Sequence, residues 1–124
     1  MITGHGIDIV AIGRFYSMSA DRLDRLANRI LTVEELDVYI ELVNEKQPLY
    51  LAKIWASKEA ISKAFGTGIR GDMTWKNIRI FNDTLGKPKV WFKKPGMYCL
   101  LSISHEKEYL IASAIIGVIN DANA

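Results

Sequence analysis

The sequence is poor in cysteine and histidine, with one Cys and two His, and it has only three prolines. Each shortage excludes something. The single Cys99, inside the apolar run MYCLL, can form no internal disulfide and reads as a small hydrophobe. A reducing, cytoplasmic setting is therefore expected. His5, His105 and Cys99 are scattered and match no zinc-ligand spacing. No apolar stretch reaches the length of a membrane span. The first residues lack the basic segment and long apolar core of a secretory leader, so none is expected. No G-x-x-x-x-G-K-[ST] occurs, which removes a nucleotide-hydrolase P-loop. Ser104, His105 and Asp8 form a triad only by force, because no G-x-S-x-G surrounds the serine. The net charge of +2 is too slight to argue for nucleic acid.

What is present suits one domain. The chain has 124 residues, 49% of them hydrophobic, enough for a real core. We expect a domain over residues 1–120 and a loose tail over 121–124. Residues 2–12 read as a β-branched strand. Ser19 caps a helix running to Leu31. Thr32 and Glu35 make a capping box for a helix to about Glu45. Gln47-Pro48 opens a third helix, with proline in its first turn, that runs to Gly66. From there the period changes. Trp75 to Phe81 and Pro88 to Phe92 read as a hairpin around the NDTLGK turn. After KKPG, Met97 to His105 and Glu108 to Ile119 read as two more strands. The last is apolar nearly throughout, as a strand buried on both faces would be. The order is one strand, three helices and an antiparallel run of strands, an α+β domain.

Three constellations carry chemistry. In WASKEAISKAFGTGIR, residues 55–70, helical spacing puts Glu59, Ser62, Lys63 and Gly66 on one face. Leu51, Ile54, the stem of Lys58, Ile61 and Phe65 line the adjacent core-facing side. The set reads either as a solvated i,i+4 ion pair followed by a glycine stop, or as a cradle for a phosphorylated ligand and a hard cation. Asp8 interrupts an apolar strand. A buried carboxylate needs a partner, which leaves solvent, Arg14 or a metal ion. Paired with Glu59, it would give the two protein oxygens that Mg²⁺ commonly takes beside substrate phosphates. Arg22, Arg25 and Arg29 form a basic helix stripe, either plain surface or a dock for an acidic partner. Ser102, Ser104 and His105 place polar atoms at a strand end.

D-I-V at 8–10, R-I-L-T-x-x-E-L at 29–36, W-A-x-K-E-A-x-x-K-A-F-G-T-G-I at 55–69, L-G-K-P at 85–88 and S-I-S-H at 102–105 span nearly the whole chain. Together they resemble the bacterial holo-[acyl-carrier-protein] synthases, small 4'-phosphopantetheinyl transferases. The resemblance implies transfer of phosphopantetheine from coenzyme A to a serine of apo-acyl carrier protein, in fatty acid biosynthesis. It implies Mg²⁺, release of adenosine 3',5'-bisphosphate, and a homotrimer with coenzyme A between neighbouring subunits. Matched position by position, Asp8 and Glu59 correspond to the metal ligands, with Lys63 beside them in the chemistry. Lys58, Ser62, Lys63, Gly66, Thr67 and Gly68 correspond to the coenzyme's phosphate site. Lys87, Pro88, Ser104 and His105 correspond to residues that close that site from the neighbouring subunit. Arg14, Arg22 and Arg25 correspond to the surface that receives the carrier protein. One departure stands out: many relatives carry a helix where this chain has only Lys93 to Gly96. The reading from another class is a small basic nucleic-acid-binding module using Arg22, Arg25, Arg29 and Trp75.

Overall fold

Strand β1 (Ile2–Ala11) is followed by a four-residue helix, α1 (Gly13–Tyr16), then α2 (Ala20–Ile30), α3 (Val33–Glu41) and the long α4 (Gln47–Phe65). Strands β2 (Ile78–Asn82), β3 (Pro88–Phe92), β4 (Met97–His105) and β5 (Tyr109–Val118) complete the chain. The computed structural model describes residues 1–119, so the expected tail at 121–124 lies outside the described residues. The α+β order read from the sequence is the observed one. Among the described residues, no helix is long and apolar enough to cross a membrane.

The caps act where their chemistry places them. The Ser19 hydroxyl accepts the Arg22 amide, and Thr32 and Glu35 complete a reciprocal capping box. Gly66 ends α4 at φ 80°, where any side chain would be strained. Four expectations need correction. Helix α1 was not anticipated. Helix α3 stops at Glu41 instead of near Glu45, because Leu42 is extended and the Gln47 side chain satisfies the Tyr39 carbonyl. Trp75–Asn77 is a 3₁₀ turn and not the start of β2, since the Trp75 carbonyl is engaged by the Lys58 ammonium. Finally, β5 is central in a β1-β5-β4 antiparallel sheet, yet its burial alternates.

That alternation organises the molecule. One sheet face, with Val10, Leu110, Ala112, Ala114, Ile116 and Leu101, packs on α4 and is buried. The other carries Ile7, Ile9, Leu100 and Ile111, each between 43% and 58% exposed. Hairpin β2–β3 forms a separate two-stranded sheet beside β4.

Helix α4 lies unusually close to β1 because Gly4 and Gly6 face it. A Cβ on Gly6 would overlap the Ala60 carbonyl oxygen, and one on Gly4 the Ala64 carbonyl oxygen. Backbone cannot move aside as a flexible side chain can. Gly6→Ala should therefore lower stability by about 1–3 kcal/mol in denaturant unfolding. Gly13→Ala, where an added Cβ meets nothing within 4 Å, should leave stability unchanged or raise it.

Candidate functional site

The close seating of α4 sets its polar edge over the middle of β1. Asp8 shares the helix-facing side of the strand with Gly4 and Gly6, since alternate residues share a face. Lys63 Nζ lies 2.9 Å from Asp8 Oδ1 and 3.2 Å from the Ile7 carbonyl oxygen. The pair is lopsided: the Asp8 side chain is 13% exposed and that of Lys63 51%. The partner used is Lys63, which the sequence reading did not offer to Asp8, and not Arg14. Asp8 Oδ2 is buried and accepts no hydrogen bond. A buried carboxylate oxygen left bare costs free energy unless something cationic comes to it.

Glu59 lies one helical turn before Lys63. Its pKa is raised, first by burial and then by the charge of Asp8, against an opposing pull from Lys63. Two carboxylates thus share one ammonium, and the cluster is a cation short. Among the described residues, no group of three or more His, Cys, Asp or Glu converges anywhere. The donor set is two carboxylates, one of them with a buried oxygen that accepts no hydrogen bond. That fits Mg²⁺, which keeps waters and takes substrate oxygens, and does not fit a closed zinc site.

Other expected residues divide. Lys58 is not in the site. It is fully buried, and its ammonium lies 2.7 Å from each of three oxygens: Glu35 Oε1, the Ile30 carbonyl and the Trp75 carbonyl. An ammonium has three N–H donors, so none remains for a phosphate. Ser62 is also buried, and its hydroxyl donates to the Glu59 carbonyl of its own helix. The amides of Gly66, Thr67 and Gly68 turn back to the Lys63 and Ser62 carbonyls. The glycine loop therefore offers no nest of N–H donors, and the Thr67 hydroxyl also turns back, donating to the Gly68 carbonyl oxygen at 2.9 Å.

Lys87 and Pro88 lie at the β2–β3 turn, where Asp83 Oδ1 accepts the Leu85 and Lys87 amides. Ser104 and His105 end β4 on opposite faces of the sheet. His105 faces the helix side in a row with Leu110 and Val10, two strands or about 10 Å from β1. Ser104 faces the other side, opposite Ile111. Within one chain these four do not join Asp8 and Glu59. Arg14, Arg22 and Arg25 are all exposed. Arg22, Arg25 and Arg29 line one shallow groove with Met18 and Leu26. Trp75, the aromatic of the nucleic-acid reading, packs on Trp55 with ring centroids 4.9 Å apart. Burial pushes the Cys99 thiol up to about 12, which removes it as a nucleophile.

Two contributions escaped the sequence. Gly4 and Gly6 bring the helix to Asp8, and their signal was present as alternate glycines on the strand that carries the acid. Arg70 closes the glycine loop, with Nε 2.7 Å from the Thr67 carbonyl oxygen.

The chain matches the family model of the 4'-phosphopantetheinyl transferase superfamily over residues 4–114. The holo-[acyl-carrier-protein] synthase of Bacillus subtilis (strain 168) is 44% identical over 117 residues, covering 94% of this chain and 96% of that protein. Among solved structures, a holo-(acyl-carrier-protein) synthase from Bacillus anthracis in complex with CoA (3',5'-ADP) is 37% identical with a TM-score of 0.83, over 94% of this chain and 96% of that one. The Neisseria meningitidis enzyme has the same identity and TM-score, over 94% and 99%.

The raised Glu59 pKa predicts a pH effect of definite sign. In the window between the ordinary glutamate value and the raised one, the folded state holds more protons, so stability falls as pH rises. Ionised Glu59 therefore costs stability at neutral pH. Glu59→Gln should melt higher than the unsubstituted chain at pH 8, with the difference gone near pH 4. Added Mg²⁺ should raise the melting temperature of the unsubstituted chain only.

Proposed function

The chain belongs to the 4'-phosphopantetheinyl transferase superfamily, and we propose that it moves phosphopantetheine from coenzyme A to a serine of apo-acyl carrier protein, releasing adenosine 3',5'-bisphosphate. The observation that carries this reading is the cation-deficient pair of Asp8 and Glu59 beside a glycine-lined helix end. The reaction is phosphoryl transfer from a pyrophosphate, in which positioning and charge stabilisation dominate. Mg²⁺ held by Asp8 and Glu59 would supply charge neutralisation at the pyrophosphate oxygens.

The chain's own residues do the rest. Glu59, directly or through one water, takes the proton from the serine Oγ. The serine oxygen bonds to the phosphorus that bears pantetheine, and the bridging oxygen leaves with the adenosine bisphosphate. Lys63, half exposed and anchored on Asp8, offsets the charge on that leaving phosphate. Gly66, Thr67 and Gly68 leave room for the coenzyme. Lys87, Pro88, Ser104 and His105 close the site from a neighbouring subunit. Lys58 and Ser62, being buried, bind no coenzyme. Arg14, Arg22 and Arg25 receive an acidic face of the carrier protein.

We also place the chain in a homotrimer. The apolar outer face of the β1-β5-β4 sheet supports this, since contiguous exposed apolar surface marks association. Sedimentation should give three times the chain mass of 14.0 kDa. A monomer at micromolar concentration contradicts this assembly.

Mass spectrometry tests the activity. Apo-carrier protein incubated with the chain, coenzyme A and Mg²⁺ should gain one phosphopantetheine. Asp8→Ala and Glu59→Ala should fold but lose nearly all turnover. Rising ionic strength should slow transfer to carrier protein, and Arg14→Glu with Arg25→Glu should slow it through weaker binding. No mass gain from the unsubstituted chain beside an active control overturns the function, and full rates in either acid variant overturn the site.

A further inference from the structure

Lys58 stands next to the catalytic Glu59 and touches no ligand site, yet it is the most heavily tied side chain of α4. Its ammonium joins the last carbonyl of α2, at Ile30, to the Glu35 carboxylate of α3 and the Trp75 carbonyl ahead of β2. Glu35 is equally occupied. Its Oε1 also accepts the Thr32 amide at 2.8 Å, and its Oε2 accepts the Ile80 amide of β2 at 2.6 Å. Both side chains are buried, 0% and 1% exposed. One ion pair thus fixes α2, α3, α4 and β2 to a single point.

Two buried charges at this place are not needed for cohesion. Apolar side chains of similar size often give equal or greater stability. Apolar contact, however, is non-directional, whereas three short hydrogen bonds to one nitrogen have a single geometry. Successive residues of a helix point about 100° apart. Locking Lys58 toward α2 and α3 therefore fixes where Glu59 points, while Gly4 and Gly6 fix the distance from α4 to β1.

We propose that Lys58 is a positioning residue of the transfer reaction: through its buried pair with Glu35 it sets the rotation of α4 that holds Glu59 against Asp8. The proposal rests on the assignment of Asp8 and Glu59 to the reacting site made above, and assigns Lys58 no contact with coenzyme A.

Lys58→Met alone strands the Glu35 carboxylate and is expected to fold poorly. The informative protein is therefore the double variant Lys58→Met with Glu35→Leu, which removes both charges and keeps the volume. It also takes the acceptor from the Thr32 and Ile80 amides, so it should fold with a lowered melting temperature. Its kcat should drop by roughly ten- to a hundredfold, as a displacement of about 1 Å in a reacting group does. KM for coenzyme A should stay within about twofold, because uniform binding is untouched. A crystal structure should show the Glu59 carboxylate moved by about 1 Å or more relative to Asp8. Three results overturn the proposal: unchanged kcat in a folded double variant, a KM that rises for coenzyme A while kcat holds, or Glu59 left in place in the crystal. If the unsubstituted chain fails to transfer phosphopantetheine, the functional reading falls, and the crystal structure still decides the role of Lys58.

Discussion

Helix α4 can lie where it does only because two positions of β1 have no side chain. Gly4 and Gly6 let the carbonyls of Ala64 and Ala60 approach the strand, and everything chemical in the molecule follows from that approach. Asp8 is the next residue on the same strand face, and Lys63 the next polar position over it. With a Cβ at either glycine, the helix would ride away from the strand and the acid would have no reason to be buried. The small Ala60 and Ala64 answer the glycines from the helix side.

The electrostatics of the site are deliberately incomplete in a way that packing is not. The Lys58–Glu35 pair inside the fold is saturated, each polar atom holding partners at hydrogen-bond distance. The Asp8–Glu59–Lys63 cluster at the edge is not: one oxygen is buried and bare, and one carboxylate is held half reluctant to ionise. Both clusters belong to one helix, five residues apart at their lysines. The contrast separates charges that hold a shape from charges that await a ligand.

Much of this was legible because the signals were local. Ser19, the Thr32–Glu35 box and Gly66 each act within four residues of themselves, and the NDTLGK turn closes on its own aspartate. The meeting of Asp8 with the α4 acid was inferred from the chemistry of two isolated carboxylates and a family pattern. What failed depended on distant partners. The stem of Lys58 read correctly as core, but its ammonium was assigned to coenzyme A, because Glu35, 23 residues earlier, gave no sign that it would turn inward. Residues 75–77 alternate like a strand, yet the Trp75 carbonyl serves Lys58 and the Lys76 ammonium reaches the Asn28 and Leu31 carbonyls at 2.6 Å each. The apolar run of β5 suggested burial on both faces, whereas within one chain only the helix side is covered.

Mn²⁺ substitution reads the central claim without reference to turnover. Crystals grown with Mn²⁺ and coenzyme A should show one anomalous-scattering peak about 2.1 Å from an oxygen of Asp8 and from an oxygen of Glu59. A peak held by neither acid, or the two carboxylates turned apart with no metal between them, contradicts it.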